Sequence, residues 1–188
     1  MRQLKLLGVF TIISAFISCG QSSEKYSKTE EIKIEMPENW KELNEPDYSI
    51  QYPDTFDLDK SGQMGISFIL LSKQTSEQDL FRENLNLLIQ DLTEQNIDLD
   101  KYVEISERQI NTMIPDGNLI ESKRLTDKNK KYQRVVYTGR QGPFDLKFQQ
   151  YFWIENNKAY VLTFTCDKSQ YDNYVSVGEE IIKTFMIK

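Results

Sequence analysis

Two cysteines carry most of the chemistry legible in this 188-residue chain, and their settings differ sharply. Cys19 closes the opening run MRQLKLLGVFTIISAFISC. Arg2 and Lys5 make a basic start, Leu6 to Ile17 an apolar stretch, and Ser18 a small residue before the cysteine, which is the order of an export signal. The apolar stretch falls short of the roughly 20 residues that a membrane-spanning helix needs. Phe16-Ile17-Ser18-Cys19 is similar to the lipobox cut by signal peptidase II, with Phe16 where leucine is usual. Cleavage before Cys19 and lipidation of its thiol are therefore expected. A diacylglycerol thioether plus an N-acyl chain such as palmitate buries several chains at about 0.8 kcal/mol per CH₂, enough for a stable anchor. The lipid consumes Cys19, so Cys166 has no partner for an intramolecular disulfide. Cys166 shares the phase of Tyr160, Leu162 and Phe164 along a strand, which predicts a buried thiol acting as a small apolar side chain.

Other chemistry is sparse. The chain has no histidine, which removes the commonest general base, the commonest metal ligand and any Ser-His or Cys-His nucleophile. Gly139-Arg-Gln-Gly142 is too short for a phosphate-binding loop and runs into Pro143, which has no N–H to offer. It reads as a strand connection with Arg140 in solvent. Asp57-Leu-Asp59-Lys-Ser61-Gly62 copies the opening of a calcium loop, but the twelfth position is Phe68 where a bidentate Glu is required. A polar turn between strands, bent at Ser61-Gly62, is the preferred reading. No catalytic residue, metal or cofactor is expected. Tyr151 and Trp153 alternate with Phe152 and Ile154, as in a central strand covered on both faces. The alternative is a ligand groove left open by one helix and lined by Tyr132 and Tyr137; core packing is the favoured reading.

The elements that must hold these residues follow from periodicity. Residues 20–30 are polar and without hydrophobic period, a flexible tether after residues 1–18 are removed. Strands are expected at 31–36, 48–52, 64–72 and 85–92, with a turn through Pro37 and Trp40 and with leucine content leaving a helix open for the last strand. From Asp98, a suitable N-cap, Leu99, Tyr102, Val103, Ser106, Ile110, Met113 and Ile114 recur at helical spacing until Pro115 and Gly117. Four strands follow, near 119–125, 131–138, 144–154 and 159–166, the last two joined by an Asn156-Asn157 turn that tolerates positive φ at both positions. A second amphipathic helix, capped by Ser169, aligns Tyr171, Tyr174, Val175, Gly178, Ile181, Ile182 and Phe185. Hairpins with two one-sided helices imply an α+β domain over residues 31–188, an antiparallel β-sheet flanked by helices in an α/β/α layering.

Removing residues 1–18 with Arg2 and Lys5 leaves 170 residues and 21 basic against 29 acidic side chains, a mature charge of about −8. That balance suits solubility beside an anionic membrane and argues against nucleic-acid binding, which wants clustered Lys and Arg. Residues 46–188 resemble the PsbP/DcrB-like family in element order and in three local texts. These are Tyr48-Ser-Ile-Gln-Tyr-Pro53, Phe81-Arg-Glu-Asn-Leu-Asn-Leu-Leu88 ahead of a helix, and Ala159 to Thr165 before a final helix ending at Thr184-Phe185. The resemblance implies an antiparallel sheet between helices and an accessory or binding role without enzymatic activity. Similar bacterial members are often lipoproteins, and the plant relatives are extrinsic subunits of photosystem II. No functional residue of the family transfers to a position in this chain. The expected protein is an envelope lipoprotein that binds a partner protein, its anchor placed in the outer membrane by Gly20, where Asp would favour inner-membrane retention in many diderms. A small carboxylate- or calcium-dependent envelope enzyme, or a ligand-binding protein, is the alternative.

Overall fold

Asn156 and Asn157 hold φ of 51° and 58°, the left-handed pair that a tight type I′ turn demands, and they fold the chain back between two long strands. The structure is a computed structural model and describes residues 37–188, apart from residues 61–64, 75, 78, 128 and 129. Within these are ten strands and two helices. Strands β1 (Trp40–Asn44), β2 (Tyr48–Pro53), β3 (Phe56–Asp59), β4 (Ile66–Ser72) and β5 (Asn84–Asp91) lead to helix α1 (Leu99–Met113). Strands β6 (Asn118–Asp127), β7 (Lys130–Gln141), β8 (Phe144–Glu155) and β9 (Lys158–Asp167) then lead to helix α2 (Tyr171–Lys183) and a short β10 (Met186–Ile187).

Seven strands form one antiparallel sheet in the order β3-β4-β5-β9-β8-β7-β6, and β1-β2-β10 form a second, small sheet. β9 lies at the centre of the larger sheet, and every residue from Ala159 to Cys166 is buried. Alternation sorts its side chains into two cores. Tyr160, Leu162, Phe164 and Cys166 join Leu85 and Leu87 of β5, Ile181 and Ile182 of α2, and Tyr48, Ile50 and Tyr52 of β2. Ala159 and Val161 join Val135, Tyr137, Leu146 and Phe152 with Tyr102, Val103 and Ile110 of α1. The class expected, α+β built on an antiparallel sheet, is the class observed.

The helix left open for residues 85–92 does not form. Asn84–Asp91 pair residue by residue with Thr165–Lys158, and ladder bonds on both sides with core burial override the helical preference of leucine. Three short strands escape the periodicity, namely β1, β3 and β10. β1 and β10 both pair with β2, while β3 pairs with β4; the five residues of β1, four of β3 and two of β10 are too few to show a period. The strand expected at 31–36 lies outside the described residues.

Helix α1 starts as the sequence implies, with the Asp98 carboxylate accepting from the Lys101 N–H at 2.8 Å. Met113, expected on its inner stripe, stands 57% exposed at the last helical residue, while Ile105 is buried. Past its end Gly117 is required, because a Cβ there would lie 2.1 Å from the Ile110 carbonyl oxygen. Helix α2 is not capped by Ser169. The N-cap is Gln170 without a side-chain bond, and Ser169 instead gives its N–H and hydroxyl to Asp167 at 2.8 and 2.6 Å. Phe185 lies beyond the helix, and its ring packs against Trp153 at 5.2 Å between centroids. The helix end is stitched to β2 by Thr184, whose hydroxyl oxygen accepts the Gln51 N–H at 2.8 Å.

Candidate functional site

Where β9 ends and β5 begins, beside the first turn of α2, the chain leaves a cleft of about 440 Å³. Its walls bring together Asp79, Phe81 and Glu83 from the segment entering β5, Phe144 from the start of β8, Asp167 from the end of β9, and Tyr174 from α2. Leu80 stands at the same site 78% exposed. The Phe81 and Phe144 rings meet at 5.2 Å between centroids.

Glu83 is the unusual member, a carboxylate only 1% exposed. It continues the inward phase of Leu85 and Leu87, both fully buried, so strand alternation drives it into the core as it does the leucines. Arg82, one residue earlier, points the other way. Its guanidinium donates to the Ser72 carbonyl at 2.5 Å and to Asp57 at 2.8 Å. Inside, Glu83 accepts from the Ser72 hydroxyl at 3.4 Å and the Cys166 thiol at 3.7 Å. Among the described residues no lysine or arginine forms an ion pair with it. Burial pushes its carboxyl above the usual carboxylate range, and the nearby Asp79 charge adds to the rise. The Cys166 thiol is pushed up too, first by burial and then by the Glu83 charge. A thiol beside a carboxylate and away from solvent is a poor nucleophile. The walls of the cleft thus combine carboxylates with aromatic rings.

The residues singled out in the sequence scatter over the fold. Cys19 lies outside the described residues. Cys166 is fully buried, as expected, and the cation facing it is Lys147, whose ammonium sits 3.7 Å over the Tyr171 ring. Tyr132 and Tyr137 do not share a groove. Odd and even positions of β7 face opposite ways, so Tyr132 stacks on Trp153 at 5.3 Å and Tyr137 on Phe148 at 4.6 Å in the other core. Asp57 and Asp59 lie on β3, where Asp57 pairs with Arg82 at 2.8 Å, and Ser61 and Gly62, where the bend was expected, lie outside the described residues. Phe68, at the twelfth position of the calcium pattern, is fully buried. Among the described residues no three His, Cys, Asp or Glu side chains gather closely enough to hold a metal ion. Arg140 sits near the end of β7 and is exposed, as expected, paired with Asp116 at 3.3 Å and Asp145 at 3.2 Å. Arg134, near the other end of that strand, bridges Glu121 at 2.6 Å and Glu179 at 3.5 Å, a latch between β6, β7 and α2. Glu83 was missed, although its phase with Leu85 and Leu87 was available as a signal.

No protein-family model and no curated protein matches the chain. Solved structures do. Cyanobacterial PsbP (CyanoP) from Synechocystis sp. PCC 6803 aligns with a TM-score of 0.61 at 14% identity, over 84% of this chain and 98% of that one. LpqN of Mycobacterium tuberculosis, described as involved in cell envelope biogenesis, aligns with a TM-score of 0.59 at 10% identity, over 79% and 91% of the two chains. PA94 of Pseudomonas aeruginosa gives 0.58 at 10% identity, over 80% and 98%. At such identities the likeness speaks for the backbone, and on that ground this chain has the PsbP-like fold.

Proposed function

We propose that the chain is an accessory protein of the bacterial envelope, held to a membrane by lipid on Cys19 and acting by binding without catalysis. The observation that carries this reading is the N-terminal text, a basic start and short apolar run closing on Ser18-Cys19, followed by polar residues 20–30 and then a folded domain. LpqN, with the same fold, is described as involved in cell envelope biogenesis, which supports an envelope role for this one. The domain is read as a sheet between two helical layers, α1 with one core and α2 with the other. Gly20 directs the anchored protein to the outer membrane, where an envelope protein is the partner.

Growth with an alkyne analogue of palmitate tests the anchor. Wild-type protein takes up the label and partitions with membranes, whereas Cys19→Ser does neither. Equal labelling of the two proteins overturns the reading.

A further inference from the structure

The larger sheet ends in two unequal edges. β3, at one end of the strand order, is four residues long, and short edge strands are a common protection against stray pairing. β6, at the other end, runs for ten residues and pairs with β7 alone among the described strands. Its outer backbone N–H and C=O groups form an open edge of about 33 Å. Ser122, Lys123 and Arg124 at its middle are exposed. Such an edge can accept a further strand, and the side chains along it decide which strand fits.

We propose that β6 pairs antiparallel with β6 of a second copy of this chain, about a two-fold axis at Ser122. In such a self-complementary contact the residue on the axis faces itself and its neighbours exchange across it. Glu121 of each copy then stands opposite Lys123 of the other, twice. Both residues lie on one face of the sheet, because β7 sets Val136 and Arg134 opposite them. Glu121 meets Arg134 through Oε1, which leaves it a second oxygen to offer. Lys123 enters no ion pair among the described residues. Ile120, 52% exposed, sits where the β6–β7 register shifts, and the same pairing sets it opposite the partner's Arg124, whose aliphatic stem would cover it. Axes at Glu121, Lys123 or Arg124 set each of these residues against its own copy, and like charges directly opposite destabilise. An axis at Leu125 matches Lys123 with Asp127 but leaves Ile120 in water. The proposal is independent of the anchor on Cys19, since it rests on β6 alone.

Cysteine cross-linking of the full-length chain in non-ionic detergent, oxidised with copper phenanthroline, tests it. In Ser122→Cys the two Cα atoms on the axis would lie about 4.5–5.5 Å apart, within disulfide reach, so a reducible dimer should form. In Thr126→Cys the two cysteines would stand roughly 26 Å apart. That variant, and the unsubstituted chain with Cys19 and Cys166, should cross-link at least about tenfold less. Sedimentation equilibrium should show a monomer–dimer exchange whose Kd rises at least about tenfold in Lys123→Glu, where each Glu121 meets a glutamate instead. Should Ser122→Cys fail to fold for want of the bond that Gln133 Nε2 gives the Ser122 hydroxyl at 2.6 Å, Lys123→Glu, an exposed change, carries the test. A chain that sediments as a monomer throughout, cross-linking of Thr126→Cys equal to that of Ser122→Cys, or an unchanged Kd in Lys123→Glu would each overturn the assignment.

Discussion

Replacing Gly178 by alanine sets two opposing effects against each other on one methyl group. Alanine is favoured over glycine inside a helix by about 1 kcal/mol, so on an exposed face the substitution would stabilise. Gly178, however, is buried on α2 directly over β9. A Cβ built there comes within 3.1 Å of three atoms of the Phe164 ring, where carbon atoms rest comfortably only at about 3.5–4.0 Å. The ring has little room to yield. Phe164 is fully buried and is paired with Leu85 on one side and Gln149 on the other. Overpacking of this kind costs about 1–3 kcal/mol. The steric cost therefore wins, with a net loss of about 1 kcal/mol and a fall in Tm of about 2–4 °C for a domain of this size. Gly178→Val, bulkier and β-branched, should lose more. Combining Gly178→Ala with Phe164→Leu should recover part of the loss, since residues in contact couple. Urea unfolding with thermal melts reads all of these. A Gly178→Ala protein that melts higher than wild type would refute the close approach of helix and sheet.

Cys166 should resist a thiol reagent in the native protein and react quickly once denatured, because it is fully buried and both burial and the Glu83 charge disfavour its thiolate; rapid native modification would contradict this. Glu83 has its carboxyl raised above the ordinary value of 4.5 by burial, so the folded state holds a proton that the unfolded state releases. Wild-type stability should therefore fall as pH rises from 4.5 toward the folded value and then level off. Glu83→Gln, lacking this titration, should gain relative to wild type between pH 4 and pH 7; a Tm difference that stays constant across that range would show that the carboxyl is not perturbed.

The long elements were legible because each carries its own pattern. Helix α1 was readable from its 3.6-residue stripe and Asp98, β8 and β9 from apolar alternation and the Asn-Asn turn, and Cys166 from its phase with Phe164. Local patterns of this kind survive without knowledge of the neighbours, since a cap or a turn is satisfied by adjacent backbone. The short strands were not legible, because β1, β3 and β10 become strands only by pairing with β2 or β4. The exchange of Ser169 for Gln170 at the start of α2 has a similar origin. Asp167, closing the central strand, captures the serine before it can cap.

The cleft was the least legible feature. Its walls come from segments more than 90 residues apart in the chain, Phe81 and Tyr174 among them, and no local period announces such a meeting. Glu83 shows where the division falls. Its sequence placed it in phase with two buried leucines, which determines the direction of its side chain. Whether that direction led to water, to a cation or to a neutral pocket depended on what β9 and α2 brought opposite. They brought a thiol and a ring, and among the described residues no basic side chain pairs with the carboxylate, since the neighbouring Arg82, one residue out of phase, is turned to the other side of the strand.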